Sequence, residues 1–133
     1  MSVSPLRTAR LAAAMLAGQA LPYSVNFILT NRCNFRCRYC NVPEHAAGEL
    51  STDEFRRALD ELARAGMARA SFSGGEALLR PDATEIVAHA KSLGLDTSLN
   101  SNGWLLDEQL DRLAPVLDML IVSVDGPEEV HDR

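Results

Sequence analysis

The chain has 133 residues, 47% of them hydrophobic and 23% charged, with a formal net charge of -5. This composition predicts a folded globular unit of at most one domain and excludes a disordered chain. The acidic balance, without any run of lysine and arginine, argues against broad binding to nucleic acid, and no apolar run approaches the length that spans a membrane.

Residues 1–21 are predicted to form an N-terminal helical extension. Alanine, leucine and methionine are strong helix formers, and Leu11, Met15 and Gly18 fall on one helical face. We expect this face to pack beneath a sheet. Basic residues before the apolar segment also fit a signal peptide. Free cysteines further along suit a reducing compartment, so we expect a cytoplasmic protein.

Strand-like runs alternate with helical segments over residues 22–133. Strands that alternate with helices of this length favour right-handed βαβ units and a parallel sheet, which makes the fold class α/β. In such sheets, functional groups gather at the carboxyl ends of the strands. The predicted strands cover residues 25–30, 70–73, 95–99 and 119–124.

Three crossover helices are predicted between these strands. Ser51 and Glu54 have the spacing of a capping box at the start of the first helix, and Gly66 marks its end. The other two helices are predicted over residues 82–94 and 107–114. Each helix can return the chain to the start of the next parallel strand.

The only three cysteines of the chain, Cys33, Cys37 and Cys40, follow the first predicted strand with the spacing C-x3-C-x2-C. Three cysteines cannot all pair, and disulfides across such short loops are strained, so a disulfide framework is not expected. Thiolate is a soft ligand that selects iron-sulfur clusters, zinc or copper(I). The loop is therefore a candidate metal centre.

Three uses of these thiols stay open on the residues alone. A zinc site needs a fourth protein ligand, which His45 could supply. A 4Fe-4S cluster held by three cysteines keeps one iron free of protein ligands, and that iron can bind a substrate or cosubstrate. A thiol-disulfide exchange pair of Cys37 and Cys40 is the third use, and it would leave Cys33 unexplained.

Polar and glycine-rich segments follow the other three predicted strands. Paired glycines let a backbone approach a ligand closely, and Glu76 can accept hydrogen bonds from an ammonium group. Asn102 before a glycine equally fits a turn, and Asp125 equally fits a cap. The segments are Gly74-Gly75-Glu76, Asn100-Ser101-Asn102-Gly103 and Ser123-Val124-Asp125.

The cysteine spacing, with Tyr39 directly before the third cysteine, resembles the signature of the radical S-adenosylmethionine (SAM) enzymes. The Gly-Gly-Glu segment resembles the family's motif for the amino group of SAM, although Ala77 stands where the family usually has proline. The resemblance implies a partial (β/α) barrel, truncated after about four parallel strands, with residues 22–133 as the N-terminal portion of the core domain. A full eight-unit barrel needs about 250 residues, so we expect a fragment.

By the same resemblance, one set of residues holds a 4Fe-4S cluster and another holds SAM. No side chain is assigned as catalytic. The metal ligands would be Cys33, Cys37 and Cys40. The cofactor-binding residues would be Tyr39, through the backbone beside it, with Gly74, Gly75, Glu76, Asn100 and Ser123.

The resemblance also implies an enzyme activity. Reductive cleavage of SAM would give a 5'-deoxyadenosyl radical, which abstracts hydrogen from a small-molecule or peptide substrate. The motifs are closest to SPASM-type members that modify peptides or build cofactors, and to the molybdenum cofactor enzymes. Flavodoxin or ferredoxin would supply the electron. Arg32, Arg36 and Arg38 between the cysteines could stabilise an anionic cluster or receive an acidic donor.

Overall fold

The computed structural model describes residues 5–18, 21–45 and 48–131. Strands and helices alternate along the chain, as predicted. The strands are β1 (Ser24–Thr30), β2 (Arg69–Gly74), β3 (Asp96–Ser101) and β4 (Met119–Val122). The helices are α1 (Pro5–Leu16), α2 (Thr52–Ala65), α3 (Ala83–Ser92), α4 (Leu106–Leu113) and α5 (Glu128–His131).

The four strands form one sheet in the order β1-β2-β3-β4, and every neighbouring pair is parallel. Phe27 pairs with Phe72, which pairs in turn with Leu99, so an apolar row crosses three strands. The register shifts near the end of β1, where Thr30 takes Gly74 as its partner. The α/β class is confirmed, and the carboxyl ends of the strands lie at one edge of the sheet.

Helix α2 begins and ends as its sequence predicts. The Glu54 backbone N–H donates to the Ser51 hydroxyl at 3.3 Å, and the Ser51 N–H donates to the Glu54 carboxylate at 2.7 Å. Gly66 ends the helix in the left-handed conformation, with φ of 111°. These caps satisfy backbone groups that a helix end leaves free.

The core lies between the sheet and helices α2 and α3. Phe27 and Phe72 stack with ring centroids 5.6 Å apart, and Phe55 of α2 meets Phe27 edge-on at 6.5 Å. Helix α3 contributes Ile86 and Val87, which are fully buried. Burial of one such side chain stabilises the fold by about 1.5–3 kcal/mol, so this layer fixes the sheet whose ends carry the site.

Helix α1 lies within the predicted N-terminal extension but is shorter. Ala14 is buried, whereas Met15 is 73% exposed, so the predicted packing face through Met15 is wrong. Ala14 lies about 100° around the helix from Met15, the rotation between adjacent residues. Residues 1–4 and 19–20 of the predicted extension lie outside the described part of the chain. Within that part, no helix is long and apolar enough to cross a membrane.

Strand β4 is two residues shorter than the run predicted to end at position 124. The Ser123 N–H still donates to the Ser101 carbonyl at 3.0 Å. Beyond it the chain leaves the sheet toward Gly126, whose φ of 151° is open to glycine but rare for other residues. Among the strands described, β4 pairs with β3 alone, and Ile121 and Val124 are exposed.

Candidate cofactor site

A cavity of about 270 Å³ opens at the carboxyl ends of the strands, beside the loop that follows β1. All the predicted site residues except Glu76 line it. Parallel strands bring their carboxyl ends to one edge, so segments far apart in sequence meet here. The lining residues are Cys33, Phe35, Cys37, Tyr39, Cys40, Ser73, Gly74, Gly75, Asn100, Ser101, Asn102, Ser123 and Asp125.

The cysteine loop, residues 33–40, has no helix or strand of its own. Cys33 and Cys37 are half-buried, Cys40 is exposed, and all three thiols are free. The Cys40 N–H donates to the Cys37 carbonyl at 3.0 Å and closes a turn between them. Three thiols on one wall of the cavity are thus available to a shared soft metal centre.

The geometry does not favour the zinc alternative with His45. A single zinc ion bonds each sulfur at about 2.3 Å, which requires its ligands to converge tightly. In the described part of the chain, no three His, Cys, Asp or Glu side chains are grouped closely enough to hold one metal ion. His45 does not line the cavity, and its backbone carbonyl accepts a hydrogen bond from the Asn31 side chain at 2.6 Å. A cluster of several irons spans a wider space than one ion.

Gly74 and Gly75 are required by a close approach of the chain to itself. A Cβ atom on Gly74 would lie 2.3 Å from the Thr30 carbonyl oxygen, and one on Gly75 would lie 2.4 Å from the Arg32 carbonyl oxygen. The Gly75 N–H donates to Thr30 at 2.9 Å, and the next N–H, of Glu76, donates to Arg32 at 2.8 Å. These glycines therefore join the end of β2 to the start of the cysteine loop, and their predicted approach to a ligand stays a prediction.

The Glu76 carboxylate lies behind the cavity wall and is fully buried. It accepts hydrogen bonds from the Leu78 N–H at 3.0 Å, the Asn102 N–H at 2.8 Å and the Ser101 hydroxyl at 3.1 Å. Buried carboxylates require such partners, because an unpaired one is costly. The side chain is therefore committed to the protein, and the predicted contact of its carboxylate with an ammonium group gives way to a positioning role.

Asn100 and Ser123 reach the cavity from the ends of β3 and β4. The amide oxygen of Asn100 is buried and accepts no hydrogen bond from the described residues. Buried polar atoms without a partner are rare in folded proteins, so this acceptor suits a donor on a bound molecule. Ser123 is exposed, and its side chain borders the same space.

Tyr39 connects the cysteine loop to the segment after β4. Its hydroxyl donates to the Asp125 carboxylate, with 2.8 Å to each oxygen. This hydrogen bond, with smaller contributions from desolvation and from the negative charge of Asp125, raises the pKa of Tyr39 to about 12. The two residues are 86 positions apart in sequence. The contact is made by the side chain, so the predicted role of the backbone beside Tyr39 stays a prediction.

Five lining residues were not assigned a role from the sequence. Ser101, Asn102 and Asp125 stand within the strand-end segments singled out there, so their position was the available signal. The other two, Phe35 and Ser73, carry no motif of their own. Phe35 meets Trp104 edge-on, with ring centroids 5.9 Å apart, and the indole is 71% exposed.

Residues 27–133 match the family model described as the Radical SAM superfamily. The chain belongs to the radical SAM superfamily. The matched range contains the three cysteines and the carboxyl ends of all four strands.

Curated relatives named as enzymes match most of the chain. "PqqA peptide cyclase" of Rhodopseudomonas palustris is 45% identical over 107 residues, which cover 78% of this chain and 28% of that protein. "AdoMet-dependent heme synthase" of Methanosarcina barkeri is 38% identical over 125 residues, which cover 90% of this chain and 36% of that protein. The chain thus spans roughly a third of the length of these relatives.

Solved structures share the fold at low sequence identity. SuiB of Streptococcus suis, in crystals with its precursor peptide SuiA and in crystals with S-adenosylmethionine, has a TM-score of 0.76 and 18% identity. These matches cover 95% of this chain and 30% or 31% of SuiB. BtrN in an open conformation has a TM-score of 0.64 and 20% identity, over 84% of this chain and 54% of that one. The predicted family fold is confirmed.

The cavity residues fit the two cofactors that the family implies. Three free thiols on one loop provide soft ligands for iron, and a set of three leaves a fourth iron open. The buried amide oxygen of Asn100 offers an acceptor on the opposite wall. Backbone carbonyls and hydroxyls near the strand ends provide further acceptors for an amino acid or a ribose.

Proposed function

We propose that this chain binds a 4Fe-4S cluster through Cys33, Cys37 and Cys40 and binds SAM in the same cavity. The observation that carries the proposal is the meeting of three free cysteines with the glycine-rich end of β2 around one space. When bound, the cluster supplies one electron that cleaves SAM, and the radical so formed abstracts hydrogen from a substrate. The protein then acts as a radical enzyme in a reducing cytoplasm, where free thiols persist.

In this proposal the strand ends orient SAM and the loop holds the metal. The backbone at Gly74 and Gly75 accepts hydrogen bonds from the SAM amino group, and the Asn100 amide and the Ser123 hydroxyl bind its carboxylate or ribose. Glu76 fixes the wall from behind. Fixed donors and acceptors of this kind hold a reacting bond in place without reorganisation at the moment of reaction.

The proposed substrate is a peptide. A relative with 45% identity is named as a peptide cyclase, and SuiB was crystallised with a precursor peptide. At the cavity, Tyr39 is 74% exposed and Trp104, against Phe35, is 71% exposed. Exposed aromatic side chains with a polar end suit peptide contacts, because they combine apolar area with a hydrogen-bonding group.

The proposed electron donor is an acidic protein such as flavodoxin or ferredoxin. Arg36 and Arg38 are exposed within the cysteine loop, beside the proposed metal ligands. Arg32 is different, because it pairs with Glu49 at 3.1 Å. Exposed cationic groups near a redox centre attract an anionic partner and speed its encounter.

Cluster binding is tested by anaerobic reconstitution of the full-length protein with iron and sulfide. We expect about four irons per chain at this site and a loss of that iron in the alanine variants of Cys33, Cys37 and Cys40. His45→Ala is the matched control, because the zinc alternative alone needs His45. Release of metal by His45→Ala, or full iron content after loss of a cysteine, would contradict the proposal.

Substrate class is tested by isotope transfer. A deuterated PqqA-type peptide should pass deuterium to 5'-deoxyadenosine formed by the reconstituted protein, as measured by mass spectrometry. The control is the same mixture with the Cys37→Ala variant, which should form no product. Transfer from a porphyrin, and from none of the peptides tried, would rule out the peptide assignment and leave the cluster chemistry intact.

The electron-donor surface is tested by reduction kinetics. Arg36→Gln with Arg38→Gln should slow cluster reduction by flavodoxin and weaken its dependence on salt, because the encounter is electrostatic. Reduction by dithionite should be unchanged. The control is Arg57→Gln with Arg64→Gln on α2, which removes the same two charges from exposed side chains outside the loop. Equally slow reduction by flavodoxin in the control would contradict the proposed donor surface at Arg36 and Arg38.

A further inference from the structure

The Cys33 sulfur lies beside two N–H donors of the chain. The Phe35 backbone N–H points at it with N and S 3.4 Å apart, and the side-chain amide of Asn102 approaches it at 3.9 Å. The first contact is local, since the two residues are neighbours in the loop. The second comes from the end of β3, 69 positions away in sequence.

The network around Asn102 fixes which atom of its amide faces the sulfur. The amide oxygen accepts a hydrogen bond from the Trp104 N–H at 3.0 Å, so the nitrogen points the other way. That nitrogen also donates to the Asn34 side-chain oxygen at 2.8 Å. The amide nitrogen therefore faces two residues of the cysteine loop, Cys33 and Asn34.

The backbone of Asn102 is fixed as firmly as its side chain. Its N–H donates at 2.8 Å to Glu76, the buried carboxylate that also accepts from Ser101. The position of the amide is therefore set by the sheet and does not depend on the irregular loop that it contacts. A donor held in this way keeps its orientation when the charge on a nearby group changes.

We propose that Asn102 is a positioning residue that donates an N–H···S hydrogen bond to Cys33 and raises the reduction potential of the cluster. The inference rests on the proposed function. Reduction adds one electron, and the added negative charge spreads onto the ligand sulfurs, so a hydrogen bond to sulfur favours the reduced state. A higher potential makes the cluster easier to reduce by a cellular donor.

The test is the midpoint potential of the cluster in the full-length protein, reconstituted anaerobically and titrated with dithionite in the absence of SAM. The reduced cluster is measured by electron paramagnetic resonance, and iron and sulfide content are measured first. Asn102→Ala removes the donor. Asn102→Asp keeps the oxygen that accepts from Trp104 and places an acceptor where the donor was.

We expect both variants to have a lower midpoint potential than the wild type, and Asn102→Asp to have a lower one than Asn102→Ala. In Asn102→Ala the ratio of reduced to oxidised cluster at a fixed solution potential should fall at least threefold, about 28 mV for a one-electron couple at 59 mV per tenfold change. The control is Asn34→Ala, which removes the contact between the two amides and the 4.0 Å contact of the Asn34 oxygen with the Cys33 sulfur but keeps the Asn102 donor. Loss of an oxygen beside the sulfur removes no donor, so its potential should not fall below that of the wild type.

An unchanged potential in a loaded Asn102→Ala or Asn102→Asp protein overturns the inference, as does an equal fall in Asn34→Ala, which would trace the effect to loop position. If one Asn102 variant takes up no cluster, the other decides. If neither does while Asn34→Ala loads normally, Asn102 serves assembly and the tuning role is rejected. A wild-type protein without a cluster is a different result, because it rejects the proposed function itself.

Discussion

The two walls of the cavity are built in opposite ways. The strand-end wall, residues 73–76 and 100–102, belongs to a parallel sheet and encloses the fully buried Glu76 carboxylate with its three hydrogen-bonding partners. The cysteine loop has no regular structure and exposes Cys40 and Tyr39. The contrast teaches that folding alone fixes the strand-end wall, whereas the proposed cofactor would complete the cysteine loop.

Side-chain contacts join the cysteine loop to the segments that follow β3 and β4. Asn102 donates to Asn34 at 2.8 Å and approaches the Cys33 sulfur at 3.9 Å, and Tyr39 donates to Asp125 at 2.8 Å. Substitutions in the strand-end wall should therefore change the free energy of unfolding, whereas those in the loop should change metal loading and leave folding nearly intact.

The largest expected effect is that of Gly74→Ala. The added methyl group would lie 2.3 Å from the Thr30 carbonyl oxygen, which is backbone and cannot rotate away. We expect a loss of about 3 kcal/mol or more of unfolding free energy, measured by chemical denaturation. Gly48→Ala is the matched control, because a Cβ atom there meets nothing within 4 Å. Equal stability of the two variants would contradict the role given to the strand-end wall.

Glu76→Gln comes next in expected size. The amide keeps one oxygen acceptor but places an NH₂ group among the donors of Leu78, Ser101 and Asn102, so a buried donor loses its partner. The expected cost is about 1–3 kcal/mol. Glu85→Gln, at the exposed ion pair with Arg56, should cost less than about 1 kcal/mol. A smaller loss at position 76 than at position 85 would refute the assignment.

Asp82→Asn should give a smaller, pH-dependent effect. The Arg80 side chain donates to both Asp82 oxygens, at 2.7 and 2.9 Å, and holds the pKa of Asp82 below its ordinary value of 3.8. We expect a loss of about 1 kcal/mol at pH 7. A lowered pKa contributes stability above the ordinary value, and that stability is lost as the pH falls through the folded-state pKa.

Urea denaturation between pH 7 and pH 2 measures this dependence. The difference between wild type and Asp82→Asn should be full at neutral pH and shrink below pH 4 or so, as the carboxylate of the wild type is protonated. Asp53→Asn, at an exposed position of α2, should show little change over the same range. A gap that widens in acid would show that the ion pair is not the cause.

Tyr39→Phe should have the smallest effect on stability. The hydroxyl bond to Asp125 joins exposed groups, so the melting temperature should stay within error of the wild type. Cluster loading is the sensitive measurement, because the loop loses its side-chain contact with the segment after β4. The control is Tyr23→Phe, a less exposed tyrosine before β1. A large fall in melting temperature would contradict the division between the walls.

The order of elements could be predicted because its signals are local. Apolar runs located the four strands, and the capping box of Ser51 and Glu54 with Gly66 gave both ends of α2. The face of α1 could not be predicted, because residues 11–17 are all apolar and no polar residue among them marks the edge of the buried face. Met15 was placed on the wrong face for that reason.

The site was predictable where its chemistry is contiguous. The cysteines and the paired glycines are short motifs, and parallel topology brings them together. The positioning role of Glu76 could not be predicted, because its partners Ser101 and Asn102 lie 25 and 26 positions further along the chain. No rule of spacing specifies such a contact. The approach of Asn102 to Cys33 is hidden from the sequence for the same reason.

The central claim is that three cysteines hold a cluster with one iron left for SAM. It is tested most directly by pulsed electron paramagnetic resonance of the reduced full-length protein with SAM labelled by ¹⁵N at its amino group. We predict a nitrogen coupling to the cluster that appears on addition of labelled SAM and is absent without it. A cluster spectrum that does not change when SAM is added, and that shows no nitrogen coupling, would contradict the proposed binding of SAM to the open iron.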